Sequence, residues 1–122
     1  MIKVMICDDL PKIFELFSEV VDCQEDMQVV CGATSTEEAV KLALIHKPDV
    51  ILMDIEMDEK DSGIIATKRI MEQLPQTKVI MLTIHQSEDI IIDAYLAGAV
   101  YYIVKDANKE KMLSYMKELN LI

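Results

Sequence analysis

Four apolar runs in this chain stop on groups that can do chemistry. Ile2 to Cys7 is followed by Asp8 and Asp9, Val50 to Met53 by Asp54, Val79 to Leu82 by Thr83, and Tyr101 to Val104 by Lys105. Brought to one place, these ends supply three carboxylates, a hydroxyl and an ammonium. Carboxylates held close together repel and raise a pKa among them, whereas a hard divalent cation relieves the conflict by taking oxygen ligands while keeping several waters. The set therefore predicts Mg²⁺. A metal held by one or two carboxylates, with open positions, suits work on phosphate oxygens, to which Lys105 adds a positive charge and Thr83 a donor. The chemistry that fits is phosphoryl transfer, with Asp54 as the nucleophile that becomes an aspartyl phosphate.

For those ends to meet, the runs must be strands of one sheet. Val50 to Met53 has no polar alternation, as expected of a strand covered on both faces in the middle of a parallel sheet. Residues 2 to 7 read as a first strand, and Pro11 then opens a helix to about Cys23 with apolar positions 10, 13, 14, 17, 20 and 21 at helical spacing. Residues 27 to 33, polar at Gln28 and ending near Gly32, suit a strand at the sheet edge. Ser35 or Thr36 caps a second helix whose first turn carries Glu37 and Glu38 and which ends before Pro48.

After Asp54 a polar loop, Glu56 to Gly63, leads into a brief third helix from Ile64 to Leu74, closed by Pro75. Ser87, with Glu88 and Asp89, starts a fourth helix that Gly98 terminates. A last helix, Asn108 to about Leu119, carries Met112, Leu113 and Met116 on one stripe and covers the flank of the first strand. Strict alternation with connections too long for hairpins implies a doubly wound α/β fold with helices on both faces.

Composition removes several function classes. The 122 residues, 52% of them apolar, fit one domain with a real core and no linker. A formal charge of −10, from 22 acidic and 12 basic residues, argues against direct nucleic-acid contact, which depends on neutralising phosphates. Cys7, Cys23 and Cys31 are odd in number and lack CxxC spacing, so they read as small core residues of a reduced compartment. With no charged, apolar leader and no run near the roughly 20 residues of a membrane span, the chain is expected to be cytoplasmic. No GxGxxG or GxxxxGK[ST] follows a strand, so a nucleotide cradle is not indicated.

The order and spacing of Asp8-Asp9, Asp54, Thr83 and Tyr102-Ile103-Val104-Lys105, each weak alone, together resemble a two-component response-regulator receiver domain over all 122 residues. The resemblance implies a flavodoxin-like sheet of five strands in the order 2-1-3-4-5 with five helices. Ligands bind outside the carboxyl ends of strands where the chain order reverses, a rule for which receivers are themselves a standard example, and here that point lies between strands one and three. It also implies that Asp54 accepts a phosphoryl group from a histidine kinase, that Asp9, Asp54 and the backbone carbonyl of Glu56 ligate Mg²⁺, and that Asp8 acts through water. Lys105 would pair with a phosphoryl oxygen, while Thr83 moves to bind another and Tyr102 turns into the space it leaves. Such a protein is a switch rather than an enzyme, and it changes the partners of the face built from its fourth helix, fifth strand and fifth helix. Ile90-Ile91-Ile92 on that helix cannot all point inward, so at least one is expected outside the core, as a plain exposed residue or as part of an interface. A phosphorylation-linked homodimer is expected.

Departures from the family pattern sharpen these expectations. Met57-Asp58 replaces a common Met-Pro, Gly63 comes one residue late, and bulky Ile84 stands where a small residue is usual, restricting access to the phosphoryl group. Asp106-Ala107 follows Lys105 in place of a frequent proline, which leaves the Lys105–Asp106 peptide geometry open. The Tyr-x-x-Lys-Asp-Ala ending is most similar to receivers attached to LuxR-type helix-turn-helix domains, so a DNA-binding half would lie elsewhere. His85 and Glu56 border the path of an attacking water and would tune hydrolysis. Two alternatives stand beside this reading: a receiver-like interaction module that is not phosphorylated, and a haloacid-dehalogenase-like phosphatase. The second uses Asp-x-Asp, whereas Asp8 and Asp9 are adjacent.

Overall fold

Each apolar run does form a strand: β1 (Ile2–Cys7), β2 (Met27–Ala33), β3 (Val50–Asp54), β4 (Lys78–Thr83) and β5 (Tyr101–Val104). Between and after them lie α1 (Pro11–Asp22), α2 (Thr36–His46), α3 (Ser62–Gln73), α4 (Glu88–Ala97) and α5 (Lys109–Glu118). The computed structural model describes residues 1–84, 87–105 and 109–118, with backbone alone at 109, 112, 113 and 116. All strand pairings are parallel, in the order β2-β1-β3-β4-β5, so β3 is central and β2 lies at an edge.

Side chains alternate across each strand, and the core divides accordingly. Val4, Ile6, Leu52, Ile80, Leu82 and Ile103 pack with Phe17, Val20 and Val21 of α1 on one face. Met5, Cys7, Ile51, Met53, Val79 and Met81 pack with α2, α3 and α4 on the other. Each fully buried aliphatic side chain contributes about 1.5–3 kcal/mol, which makes the strands the rigid part from which the loops project. One register row runs Cys7, Met53, Met81, Tyr102 across four strands.

The local signals acted as their chemistry suggests, with instructive exceptions. Ser35 is the α2 cap, its Oγ accepting from the Glu38 N–H at 3.2 Å. Gly98 ends α4 at φ 117, a left-handed value that suits glycine. The third helix is not brief: it begins at Ser62 and equals α1 at 12 residues, because Asp61 takes a left-handed turn at φ 60 that starts the helix before the expected Ile64. Leu10 is 53% exposed rather than on the buried stripe of α1, since it precedes Pro11 in an extended conformation outside the helix. Cys7 is buried and Cys31 half-buried, but Cys23 is exposed at the end of α1 and is no core residue. On α4, Ile90 packs into the core while Ile92 is exposed.

α5 packs against α1, and its Tyr115 reaches the core face that β1 shares. The expected Met112, Leu113 and Met116 stripe lies outside the described side chains. No cis peptide occurs among the described residues, and the Lys105–Asp106 bond lies outside them. Among the described residues no helix is long and apolar enough to cross a membrane.

Candidate functional site

Because β1, β3, β4 and β5 run parallel, their carboxyl ends share one edge of the sheet, and the chemistry-bearing residues gather there. Asp8, Asp9 and Asp54 each place a carboxylate oxygen within 4.8 Å of the others. Lys105 Nζ sits between two of them, 2.8 Å from Asp8 Oδ2 and 3.0 Å from Asp54 Oδ1. Asp8, Asp54 and Thr83 are buried and Asp9 is exposed, so the cluster has a dry floor and one wet ligand. Above it opens a cleft of about 220 Å³ bordered by Asp9, Leu10, Glu56, Thr83, Ile84 and Lys105.

Local hydrogen bonds aim the carboxylates. Asp8 Oδ1 accepts from the Leu10 N–H at 2.9 Å, and Asp54 Oδ1 accepts from the Glu56 N–H at 3.1 Å. Asp8 Oδ2 is buried and faces the Lys105 ammonium at 2.8 Å, which pairs its charge. Burial, with the Asp8 charge beside it, pushes the Asp54 carboxyl up from 3.8 to about 6, although Lys105 and the Glu56 N–H oppose the rise. Burial pulls the Lys105 ammonium down, but Asp8 and Asp54 together outweigh it and leave its pKa raised. An all-oxygen donor set of three converging carboxylates, against which Lys105 brings one positive charge, leaves an excess of negative charge that fits a hard divalent cation.

The remaining expected residues are distributed as the strand register dictates. Thr83 ends β4 opposite Val104, and its carbonyl accepts from the Lys105 N–H at 2.7 Å, which fixes where the Lys105 side chain starts. Tyr102 lies lower on β5, half-buried, stacked on Tyr101 at 5.7 Å and edge-on to Tyr95 at 6.4 Å. The Glu56 side chain is exposed at the rim, and Ile84, 70% exposed, forms one wall. His85 lies outside the described residues.

The acceptor loop is shaped by Ser62, which its sequence did not single out, together with Asp58 and Gly63. Ser62, 1% exposed, accepts the Met57 N–H on its Oγ at 2.7 Å. Asp58 Oδ1 accepts the Thr36 N–H at 3.2 Å, across to the start of α2. Gly63 donates its N–H to the Ile55 carbonyl at 2.8 Å. The available signal was a serine directly before the loop glycine in an otherwise charged stretch.

A doubly wound parallel sheet with an acidic triad and a lysine at its switch point defines a receiver-type phosphoacceptor switch rather than an enzyme. The chain belongs to the response regulator receiver domain family of two-component signalling, whose sequence profile matches residues 4–117. It is 40% identical over 111 residues to the oxygen regulatory protein NreC of Staphylococcus haemolyticus, covering 91% of this chain and 51% of that protein. This chain thus spans about half the length of the curated relatives it matches. A LuxR-family two-component response regulator from an Aurantimonas species superposes with a TM-score of 0.85 at 25% identity, covering 96% of this chain and 83% of that one. CheY in a complex with CheX, BeF₃ and Mg²⁺ from Borrelia burgdorferi gives 0.85 at 28% identity, covering 97% and 89%.

Proposed function

We infer that residues 1–122 form one receiver domain that accepts a phosphoryl group on Asp54 from the phosphohistidine of a histidine kinase. The observation that carries this reading is the placement of Lys105 Nζ between Asp8 and Asp54 in a cluster of three converging carboxylates. An ionised Asp54 oxygen forms a bond to phosphorus as the phosphorus–nitrogen bond of the donor breaks, and the imidazole leaves. Asp9, Asp54 and the Glu56 carbonyl would hold Mg²⁺, with Asp8 acting through water, and the ion would supply positive charge against the phosphoryl oxygens. Lys105 exchanges its contact with Asp54 for one with a phosphoryl oxygen, and Thr83 donates to another.

The movement of Thr83 frees space beside Tyr102, and the modification thereby biases two packings of β4 and β5. The face that responds carries Ile92, Tyr95, Leu96, Val100 and Tyr101, all exposed. An apolar group of that kind suits a partner or a second copy of the chain. The relation to longer regulators, with the acidic charge of this half, supports an output domain that binds DNA elsewhere in a cytoplasmic protein.

Intact mass spectrometry after incubation with Mg²⁺ and acetyl phosphate tests the reading. A single phosphoryl adduct is expected that requires Mg²⁺ and is absent in Asp54→Ala. With neither an adduct nor a response to beryllofluoride from folded protein, the chain would be an unphosphorylated binding module. In the same assay Glu56→Ala and His85→Ala are expected to change the phosphoryl lifetime, and an unchanged lifetime would remove their tuning role. Ile84→Ala opens the cleft wall and is expected to accelerate uptake from acetyl phosphate severalfold without altering Mg²⁺ affinity; equal rates would show that this wall does not limit entry.

A further inference from the structure

The loop between β3 and α3 is tied to a helix that contributes nothing to the acidic cluster. Asp58 Oδ1 accepts the Thr36 N–H at 3.2 Å, Thr36 Oγ1 donates to the Ser62 carbonyl at 3.0 Å, and Ser62 Oγ accepts the Met57 N–H at 2.7 Å. These three bonds join the first residue of α2, the first residue of α3 and the middle of the acceptor loop. A helix start leaves its first N–H groups without internal partners, and here one of them is met by a side chain from the loop. A proline at position 58, the residue that the family resemblance leads one to expect, would offer no such acceptor. Beside the latch, Arg69 of α3 grips Glu37 of α2 through two bonds of 2.6 and 3.2 Å, so the two helices it spans are also fastened to each other.

The latched segment begins directly after Glu56, whose N–H donates to Asp54 Oδ1 at 3.1 Å, so the latch and the acceptor carboxylate are joined through one residue. We propose that Thr36, Asp58 and Ser62 are positioning residues that hold the acceptor loop against β3 and thereby set the affinity of the Asp8, Asp9 and Asp54 cluster for a divalent cation. The inference rests on the Mg²⁺ reading given above and adds to it a control lying outside the cluster. Groups that orient metal ligands from behind characteristically matter by about 10- to 100-fold in affinity.

Calorimetric titration of Mg²⁺ into the whole chain at neutral pH tests it. Thr36→Val, Asp58→Ala and Ser62→Ala are expected to bind about tenfold more weakly than the wild type. Thr36→Ser and Asp58→Asn keep the donor and the acceptor and are expected to bind as the wild type does. Amide exchange at the Met57 N–H, read without metal, should accelerate in Ser62→Ala and in Thr36→Val. A lowered melting temperature with an unmoved Mg²⁺ constant in the three disruptive variants would make the latch merely structural and overturn the proposal. Should Ser62→Ala fail to fold, the Thr36 and Asp58 pairs decide alone. If the wild type itself binds no Mg²⁺ and matches Asp9→Asn, the cation reading fails and takes the proposal with it.

Discussion

Asp54→Asn is expected to make the metal-free protein more stable at neutral pH, not less. In the folded chain the Asp54 carboxyl titrates at about 6 against an ordinary 3.8, so between those values the native state binds more protons than the unfolded one. Stability from this group is therefore fully present below about pH 4 and is lost as the pH rises through about 6. Burying the ionised carboxylate, with Asp8 crowded against it, costs on the order of 3 kcal/mol at neutral pH, a cost that asparagine does not incur. Chemical denaturation of both proteins in chelator across pH 4 to 8 should show curves that meet in acid and diverge near neutrality. Adding Mg²⁺ should stabilise the wild type much more than the variant. Parallel curves would mean that Asp54 is not strained by its neighbours, and the case for a relieving cation would weaken with it.

The second large effect is expected at Gly63, where α3 is seated on the acceptor strand. A Cβ there would lie 1.8 Å from the Asp54 carbonyl oxygen and 2.7 Å from its carbon, both backbone atoms that cannot swing aside. Gly63→Ala must lift α3 or deform the end of β3, and either movement breaks the 2.8 Å bond to Ile55. A loss of about 3 kcal/mol or more is expected, with Tm falling by roughly 10 °C or more. Gly98→Ala supplies the scale: its φ of 117 disfavours alanine, but the nearest atom is the flexible Met71 side chain at 2.7 Å, so a smaller loss is expected. Equal losses at the two positions would show that α3 tolerates displacement from β3.

The strands and the carboxylate cluster were legible in the sequence because both rest on strong local signals. Val50 to Met53 is apolar without interruption and proves buried throughout, and Asp54 directly follows it. Once four such runs are parallel neighbours, the residues after them must converge. The acceptor loop was less legible, since its shape depends on contacts distant in sequence: Asp58 with Thr36, Ser62 with Met57, and the backbone of Gly63 with Ile55. Hydrophobic periodicity carries no information about such contacts. Leu10 and Cys23 were misplaced for a related reason, as apolar character alone does not tell a helix face from the turn beside it.

The register row of Cys7, Met53, Met81 and Tyr102 has a mechanical consequence. It lies one step below the charged cluster and joins the acceptor strand to the aromatic residue on β5. Two of its four members are thioethers, and the Met81 sulfur rests 3.6 Å from the Thr67 hydroxyl. Unbranched, polarisable side chains refill a changing space by bond rotation, whereas branched ones fix a single shape. The floor of the site is thus plastic beneath a stiff rim. A turn of the Tyr102 ring would be taken up within this layer, and the strands that hold the carboxylates would keep their spacing while the far face of the sheet changes contour.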